Sequence, residues 1–162
     1  PLITTLAKTA GVSVEGEIGF VGYAEGVSST GTLPEDARRF AADSGVDAMA
    51  ISIGNVHLQQ EKIAKLDLAA LRAIEAVTSI PLVIHGGSGV LGETRSFLAK
   101  ESKICKFNIG TELRMAFGQA LRDAVNQDVN RFDRISILKE TENPVQLAAQ
   151  RVIRAFGAPA QR

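Results

Sequence analysis

The sequence is short of cysteine, aromatic side chains and charge of one sign, and the shortages exclude several classes of protein. Its single cysteine, Cys105, cannot form an internal disulfide, which suits a reducing compartment, and we expect it in the core. Eighteen basic residues balance eighteen acidic ones, so no charge excess attracts nucleic acid or an anionic membrane. No apolar run approaches the roughly 18 residues of a membrane-spanning helix. We therefore expect a cytoplasmic protein with no nucleic-acid or membrane partner.

Apolar residues fall into four strand-like runs, each followed by a helical pattern, at residues 12–19, 48–54, 82–84 and 104–109. This alternation, with nearly continuous apolar strands, predicts a parallel sheet covered by helices. Two architectures remain open from the pattern alone. One is an open doubly wound sheet, and the other is half of an eight-stranded barrel of about 250 residues.

Capping residues predict the ends of two helices. Thr32 and the Leu-Pro-Glu that follows it have the pattern of a helix N-terminus, and Gly45 is a suitable C-terminal glycine for that helix. A last helix is predicted at about 144–156, with Asn143 as its N-cap.

Polar side chains stand at or beside the end of each predicted strand: Glu15 and Glu17, His57, His85, and Asn108. In parallel α/β sheets and barrels, the carboxyl ends of the strands form the binding face. One such residue would mean little, but four consecutive strands with polar ends predict a functional site at this edge.

The two histidines, His57 and His85, lie one strand–helix unit apart. Neighbouring strands run about 4.8 Å apart, so two imidazoles at their ends can reach one metal ion. The alternative is two unrelated histidines, each with its own local hydrogen bonds. Two ligands also leave a catalytic zinc site incomplete, because such a site has three protein ligands and an open position.

Glu15 and Glu17 are two positions apart, so in an extended strand they point to the same face. Two neighbouring carboxylates are costly to bury unless a cation compensates them. They are therefore either a metal-binding or proton-transfer pair, or members of a network with lysine or arginine. Lys106 is expected to be solvated or salt-bridged rather than to form a Schiff base.

Glycine-rich sequence follows the third strand, where Gly86-Gly87-Ser88-Gly89 offers unhindered N–H groups and a hydroxyl that suit phosphate. Asn108 and Thr111 follow one strand later. Barrels frequently bind phosphate with the loops after their last two strands. If the third and fourth predicted strands are the last two strands of a barrel, the chain is the C-terminal half of that barrel.

Four motifs together, VSVEGEIG, AISIGNVH, VIHGGSG and KFNIGTELR, resemble the second half of the zinc-dependent class II ketose-bisphosphate aldolases. The resemblance covers nearly the whole chain. It implies an α/β fold in which residues 1–162 supply the last four βα units of one TIM (β/α)8 barrel domain.

The resemblance also implies a site. His57 and His85 would be two of three zinc-binding histidines, and Glu17 would be a carboxylate at the metal. A second set would hold the phosphate and hydroxyl groups of dihydroxyacetone phosphate: Gly86, Ser88, Asn108 and Thr111. The bound Zn²⁺ would polarise the ketone and stabilise an enediolate. The third histidine and the proton-transfer aspartate are expected upstream of Pro1, so no catalytic acid or base is assigned in this chain.

The implied activity is reversible aldol cleavage of a tagatose- or fructose-type ketose 1,6-bisphosphate to dihydroxyacetone phosphate and an aldehyde, as in glycolysis. A homo-oligomer (dimer or tetramer) and a bound monovalent cation are also expected. Two positions depart from the family. Leu58 replaces a glycine associated with phosphate or the monovalent cation. Gly110 stands where fructose-type enzymes have aspartate, which favours a tagatose-type substrate or another ketose phosphate. A non-catalytic sugar-phosphate-binding barrel and a phosphosugar isomerase are the alternatives.

Overall fold

Four strands form one parallel sheet in the computed structural model, which describes residues 1–21, 30–55 and 64–157. The strands are β1 (Glu15–Glu17), β2 (Ala48–Ile51), β3 (Leu82–Ile84) and β4 (Ile104–Phe107). They lie in the order β1-β2-β3-β4, and each pairs in parallel with the next strand along the chain. The predicted parallel α/β fold is confirmed.

Helices occupy most of the remaining described chain. They are α1 (Leu2–Thr9), α2 (Pro34–Ser44), α3 (Leu68–Val77), α4 (Gly92–Glu101), α5 (Thr111–Gln127) and α6 (Arg134–Ala155). The connections between successive strands contain α2, α3 and α4 in turn, and α6 packs against α5 and α4. Among these helices, none combines the length and apolar character needed to cross a bilayer.

The hydrophobic core lies on one face of the sheet, between the strands and the helices that connect them. Its main members are Met49 and Ile51 of β2, Leu82 and Ile84 of β3, Leu71 and Ile74 of α3, and Leu98 of α4. Each of these side chains is at most 2% exposed, and full burial of such a side chain contributes about 1.5–3 kcal/mol. This face anchors the strands to the helices.

The opposite face of the sheet carries charged and small side chains. The pairing register places Glu17, Ala50, Val83 and Lys106 in one row across the four strands. A sequential strand order with helix packing against one face differs from a doubly wound sheet, whose order reverses and whose two faces are both covered. The architecture is that of four βα units of a TIM barrel.

A glycine separates the two glutamates of β1 and lies on the core side. A Cβ atom added to Gly16 would stand 2.7 Å from Cζ of Phe40, a residue of α2. The absence of a side chain therefore lets α2 pack directly on the β1 backbone.

The start of α2 differs from the sequence prediction, although its end does not. The helix begins at Pro34, and Thr32 does not cap it. The Thr32 hydroxyl instead donates to the Ile18 carbonyl at 2.9 Å and accepts from the Ser52 N–H at 2.9 Å. It ties the end of β1 to the end of β2. Gly45 ends the helix with φ +69°, as predicted.

The last helix is longer than predicted, because it begins at Arg134 rather than near residue 144. Asp133 is its N-cap and accepts from the N–H groups of Ile135 and Ser136 at 3.3 and 3.0 Å. Pro144 lies inside the helix, where its missing N–H normally costs about 3 kcal/mol. The helix continues through the proline and packs along α5, so Pro144 does not mark a helix start as the sequence suggested.

Cys105 is exposed rather than buried in the core, which corrects the sequence prediction. The cause is an irregularity in β4: Leu82 pairs with Ile104, whereas Val83 pairs with Lys106. Cys105 is therefore the extra residue of a bulge and has no partner position on β3. Its Sγ lies 3.4 Å from the Leu82 carbonyl oxygen, to which it donates.

Candidate active site

Charged side chains from three strands meet on the face of the sheet opposite the core. The His85 Nε2 atom lies 3.0 Å from Glu15 Oε1, and its Nδ1 atom lies 3.6 Å from Glu17 Oε1. The imidazole follows β3 and the carboxylates belong to β1, so β2 stands between them. At this level β2 presents Ala48 and Ala50, whose small side chains leave room for the contact. The prediction that Glu15 and Glu17 share a face is confirmed.

Glu15 is held from two sides. Its Oε1 atom contacts His85, and its Oε2 atom accepts a hydrogen bond from Lys106 Nζ at 2.7 Å. Burial alone would raise the pKa of the Glu15 carboxyl, but the hydrogen bonds with His85 and Lys106 outweigh burial and lower that pKa below its ordinary value. Lys106 is salt-bridged, as expected.

Asn55, a fully buried residue that sequence reasoning missed, joins the ends of β2 and β3. Its Nδ2 donates to the His85 carbonyl at 2.8 Å and to the Ile51 carbonyl at 3.3 Å. Its Oδ1 accepts from the Ile53 N–H at 2.8 Å. The amide thus fixes the backbone from which the His85 imidazole projects. The only sequence signal was its position two residues before His57, the first of the two histidines.

Two donor atoms at this face, His85 Nδ1 and Glu17 Oε1, match the ligands of a zinc ion in kind and in spacing. Zinc takes imidazole nitrogen and carboxylate oxygen at about 2.0–2.2 Å, so two ligands of one tetrahedral ion stand about 3.4 Å apart. His85 Nδ1 and Glu17 Oε1 are 3.6 Å apart. Within the described ranges, no group of three His, Cys, Asp or Glu side chains could hold a metal by itself. His57 and Leu58, the predicted partner ligand and its neighbour, lie outside the described residues.

The glycine-rich turn after His85 has a backbone that demands glycine. Gly86 has φ +64°, a left-handed conformation, and residues Gly87–Gly89 form one 3₁₀ turn. A Cβ on Gly87 would stand 3.0 Å from Ile109 Cδ1. The Gly87 N–H donates to the Asn108 carbonyl at 3.2 Å, and the Asn108 N–H donates to the Ile84 carbonyl at 2.8 Å. The turn is therefore fastened to the end of β4.

The turn also meets the N-terminus of α5. The Ser88 hydroxyl, in a residue only 4% exposed, accepts from the Glu112 N–H at 3.4 Å. Thr111, the first residue of the helix, is buried beside it. A helix N-terminus presents N–H groups and a positive dipole end to an anion. The structure thus brings together three predicted substrate-binding positions, Ser88, Asn108 and Thr111, around one turn.

Arg95 of α4 is the second residue that sequence reasoning missed. Its side chain is only 1% exposed. The guanidinium donates to the Gly87 carbonyl at 2.7 and 3.2 Å and to the Ser88 carbonyl at 2.9 Å, and it forms an ion pair with Glu112. One buried cation thus holds the turn and the start of α5 together. The only available signal was its place three residues before Leu98 on the buried side of α4.

Comparison with known proteins agrees with this fold. The family profile described as "Fructose-bisphosphate aldolase class-II" matches residues 2–161. The 6-phospho-5-dehydro-2-deoxy-D-gluconate aldolase of Shouchella clausii (strain KSM-K16) is 34% identical over 159 residues, which cover 96% of this chain and 54% of that protein.

Among solved structures, the YdjI aldolase of Escherichia coli K12 is similar with a TM-score of 0.71 and 26% identity, over 97% of this chain and 52% of that one. A putative fructose-1,6-biphosphate aldolase of Coccidioides immitis shares the fold with a TM-score of 0.76 at 21% identity, over 96% of this chain and 56% of that one. The chain therefore spans about half the length of the relatives that it matches.

Proposed function

This chain belongs to the class-II fructose-bisphosphate aldolase family, and on that basis we propose that it forms half of the active site of a metal-dependent aldolase. The reaction is reversible cleavage of a ketose 1,6-bisphosphate to dihydroxyacetone phosphate and an aldehyde. One observation carries the proposal: His85, a metal-type ligand facing Glu17, is directly followed by the glycine-rich turn at Gly86–Gly89. A metal and a phosphate would thus lie one residue apart on the same strand end.

The metal half of the site would consist of His85 Nδ1 and Glu17, with His57 as a further ligand. When bound, Zn²⁺ supplies Lewis-acid polarisation of the substrate ketone. The role of His85 and Glu17 is to hold the ion on the open face of the sheet, beside the turn. The proton-transfer aspartate and the third histidine are proposed to come from the other half of the barrel.

The phosphate half of the site would consist of the turn and the N-terminus of α5. Gly86 and Ser88 would bind phosphate oxygens through backbone N–H and hydroxyl groups, and Thr111 would add a hydroxyl at the helix start. Asn108, two positions after Lys106 in β4, would contact a substrate hydroxyl. Arg95 donates to the Gly87 and Ser88 carbonyls, so these two acceptors are already hydrogen-bonded within the protein.

The substrate would be of the tagatose type, since Gly110 replaces the aspartate of fructose-type enzymes. The backbone does not demand this glycine, because its φ is −128° and an added Cβ would meet only the flexible end of Arg114 at 3.0 Å. The Shouchella clausii relative favours a second candidate, a 6-phospho-5-keto sugar acid. Both substrates carry a ketone next to a phosphorylated carbon, so the turn would bind the same end of either.

The setting of the enzyme is also a proposal. A homo-oligomer (dimer or tetramer), a monovalent cation near the phosphate and a place in cytoplasmic carbohydrate metabolism follow from the family resemblance. No membrane and no nucleic acid are expected as partners. Size-exclusion chromatography of the full-length protein and activity with K⁺ or Na⁺ would test the first two.

The decisive experiment uses the full-length protein with its zinc content measured. Each candidate ketose phosphate is supplied, and dihydroxyacetone phosphate is detected with a dehydrogenase that reduces it. We expect cleavage that disappears on chelation and returns with Zn²⁺, and its loss in His85→Ala but not in the exposed control Glu35→Gln. Binding of the sugar phosphate without cleavage would indicate a non-catalytic barrel. Interconversion of aldose and ketose without C–C cleavage would indicate an isomerase.

A further inference from the structure

We propose that Arg95 is a positioning residue for the substrate phosphate, because it orients the two donor groups of Ser88 without touching the anion itself. The inference rests on the proposed function, since it assigns a role behind the proposed phosphate site. The Arg95 side chain is only 1% exposed, so its effect on a bound phosphate passes through the residues that it contacts. Three features carry the inference: the carbonyls that the guanidinium holds, the glycines beside Ser88, and the link from Glu112 to the Ser88 hydroxyl.

The peptide groups on both sides of Ser88 are held by the guanidinium. Its Nη2 atom donates to the Gly87 carbonyl at 2.7 Å and to the Ser88 carbonyl at 2.9 Å. In a trans peptide the C=O and the following N–H point in opposite directions, and the described residues contain no cis peptide. The Ser88 N–H shares a plane with the Gly87 carbonyl and therefore points away from the guanidinium. Holding that carbonyl thus fixes the direction of an N–H that is proposed to bind phosphate.

The residues that flank Ser88 make this restraint necessary. Gly87 and Gly89 have no Cβ, so the peptide planes beside Ser88 can rotate more easily than they could between larger residues. The Gly87 carbonyl also accepts from the Val90 N–H at 3.2 Å, but the bond from Arg95 is the shorter one. Without the guanidinium, we expect the peptide groups beside Ser88 to sample several orientations.

The Ser88 hydroxyl is oriented through the same cation. It accepts from the Glu112 N–H at 3.4 Å, and the Glu112 carboxylate forms an ion pair with Arg95. A hydroxyl that accepts at its oxygen can donate its proton to another group, here a phosphate oxygen. Because Glu112 neutralises Arg95, the pair adds little net charge to the site. The role of Arg95 is therefore orientation rather than electrostatic attraction.

Ligand affinity of the full-length protein, loaded with zinc, tests the proposal. Dihydroxyacetone phosphate is titrated by calorimetry, and kcat and KM are measured for the ketose phosphate that the wild type cleaves. We expect Arg95→Met to weaken dihydroxyacetone phosphate binding and to raise KM by about 10- to 100-fold, the effect of losing a hydrogen bond to a charged group, with a much smaller change in kcat. Zinc affinity, measured by chelator competition, should match the wild type. The matched control Arg38→Met, which removes an exposed arginine paired with Glu35, should leave both affinities unchanged.

A double variant separates this role from a purely structural one. Arg95→Met combined with Glu112→Gln removes both charges of the buried pair, so it should regain stability relative to Arg95→Met. The carbonyls of the turn still lack the guanidinium, so we expect the raised KM to remain. A KM that returns to the wild-type value together with stability would overturn the proposal.

A measurement on the wild-type protein covers the case in which neither variant folds. On addition of inorganic phosphate, the Ser88 amide proton should shift downfield in the NMR spectrum. The Arg95 Nε–H signal should shift with it, because the hydrogen-bonded peptide group between them is polarised, whereas the Arg38 Nε–H signal should not. A Ser88 or Arg95 signal that does not move at saturating phosphate would contradict the proposal.

The proposed function and the role of Arg95 fail in different ways. If the wild-type protein binds neither phosphate nor dihydroxyacetone phosphate and cleaves no sugar phosphate, the proposed function fails and the role of Arg95 falls with it. If the wild type binds and cleaves its substrate and the folded Arg95 variants do so with the same KM, only the role of Arg95 fails.

Discussion

Replacement of Arg95 by methionine should be among the most destabilising single changes in this half of the barrel. The guanidinium is 1% exposed, donates to the carbonyls of Gly87 and Ser88, and pairs with Glu112, whose side chain is 22% exposed. Methionine has a similar length, so the change removes the charge and the donors with little loss of packing.

The magnitude follows from what Arg95→Met leaves behind. Removing one partner of a buried ion pair typically costs about 3–5 kcal/mol, because the other charge stays in a poorly solvated place. Each buried carbonyl that loses its donor adds about 1–3 kcal/mol when no water replaces it. These costs are not additive, so we expect about 3–5 kcal/mol of lost stability.

Urea unfolding of the full-length protein measures this loss, and Arg95→Met combined with Glu112→Gln is the matched control. Because the double variant removes both charges, it should be more stable than Arg95→Met alone. A loss below about 1 kcal/mol in Arg95→Met would refute the reasoning. In a folded Arg95→Met variant, the KM for the phosphorylated substrate should rise more than kcat falls. The reason is that the change displaces the turn that would bind the phosphate and leaves the proposed metal ligands in place.

Further predictions concern the core, a helix cap and the phosphate site. Leu98→Ala removes a fully buried side chain and should lower the free energy of unfolding by about 2–5 kcal/mol, measured in urea. Hydrogen bonds from the Ser136 and Ile135 N–H groups lower the pKa of Asp133. The ionised Asp133 therefore stabilises the fold above the ordinary carboxyl pKa of about 3.9, and this stabilisation is lost as pH falls through the lowered pKa. Asparagine does not titrate, so the difference in melting temperature between the wild type and Asp133→Asn should become smaller as pH falls through the lowered pKa. A difference that stays constant with pH would contradict the role of Asp133 as an ionised helix cap. Ser88→Ala should raise the KM for a sugar phosphate at least several-fold while zinc affinity stays unchanged, and an unchanged KM would place the phosphate elsewhere.

The strands and the shared face of the two glutamates could be predicted because they depend on local sequence. The apolar run before His85 has the length of a buried strand, and alternation alone places Glu15 and Glu17 on one side. Gly45 was predictable for a similar reason, because a left-handed helix end strongly favours glycine.

The remaining features depend on partners distant in sequence. The sequence around Arg95 does not indicate its ion pair with Glu112, and the sequence around Asn55 does not indicate its hydrogen bond to the His85 carbonyl. Thr32 has a strong local capping pattern, but its hydroxyl binds groups of two different strands instead. The bulge that exposes Cys105 arises from the pairing of two strands and has no signature in either alone.

The contact between Gly16 and Phe40 makes the site depend on the helix layer behind it. Because α2 rests directly on the backbone between the two glutamates, the height of both carboxylates above the sheet is set by aromatic packing on the other side. If heating loosens that packing, the two carboxylates become disordered before the strands of the sheet lose their pairing. On heating, we therefore expect a ligand bound by these carboxylates to be released at a lower temperature than that of cooperative unfolding.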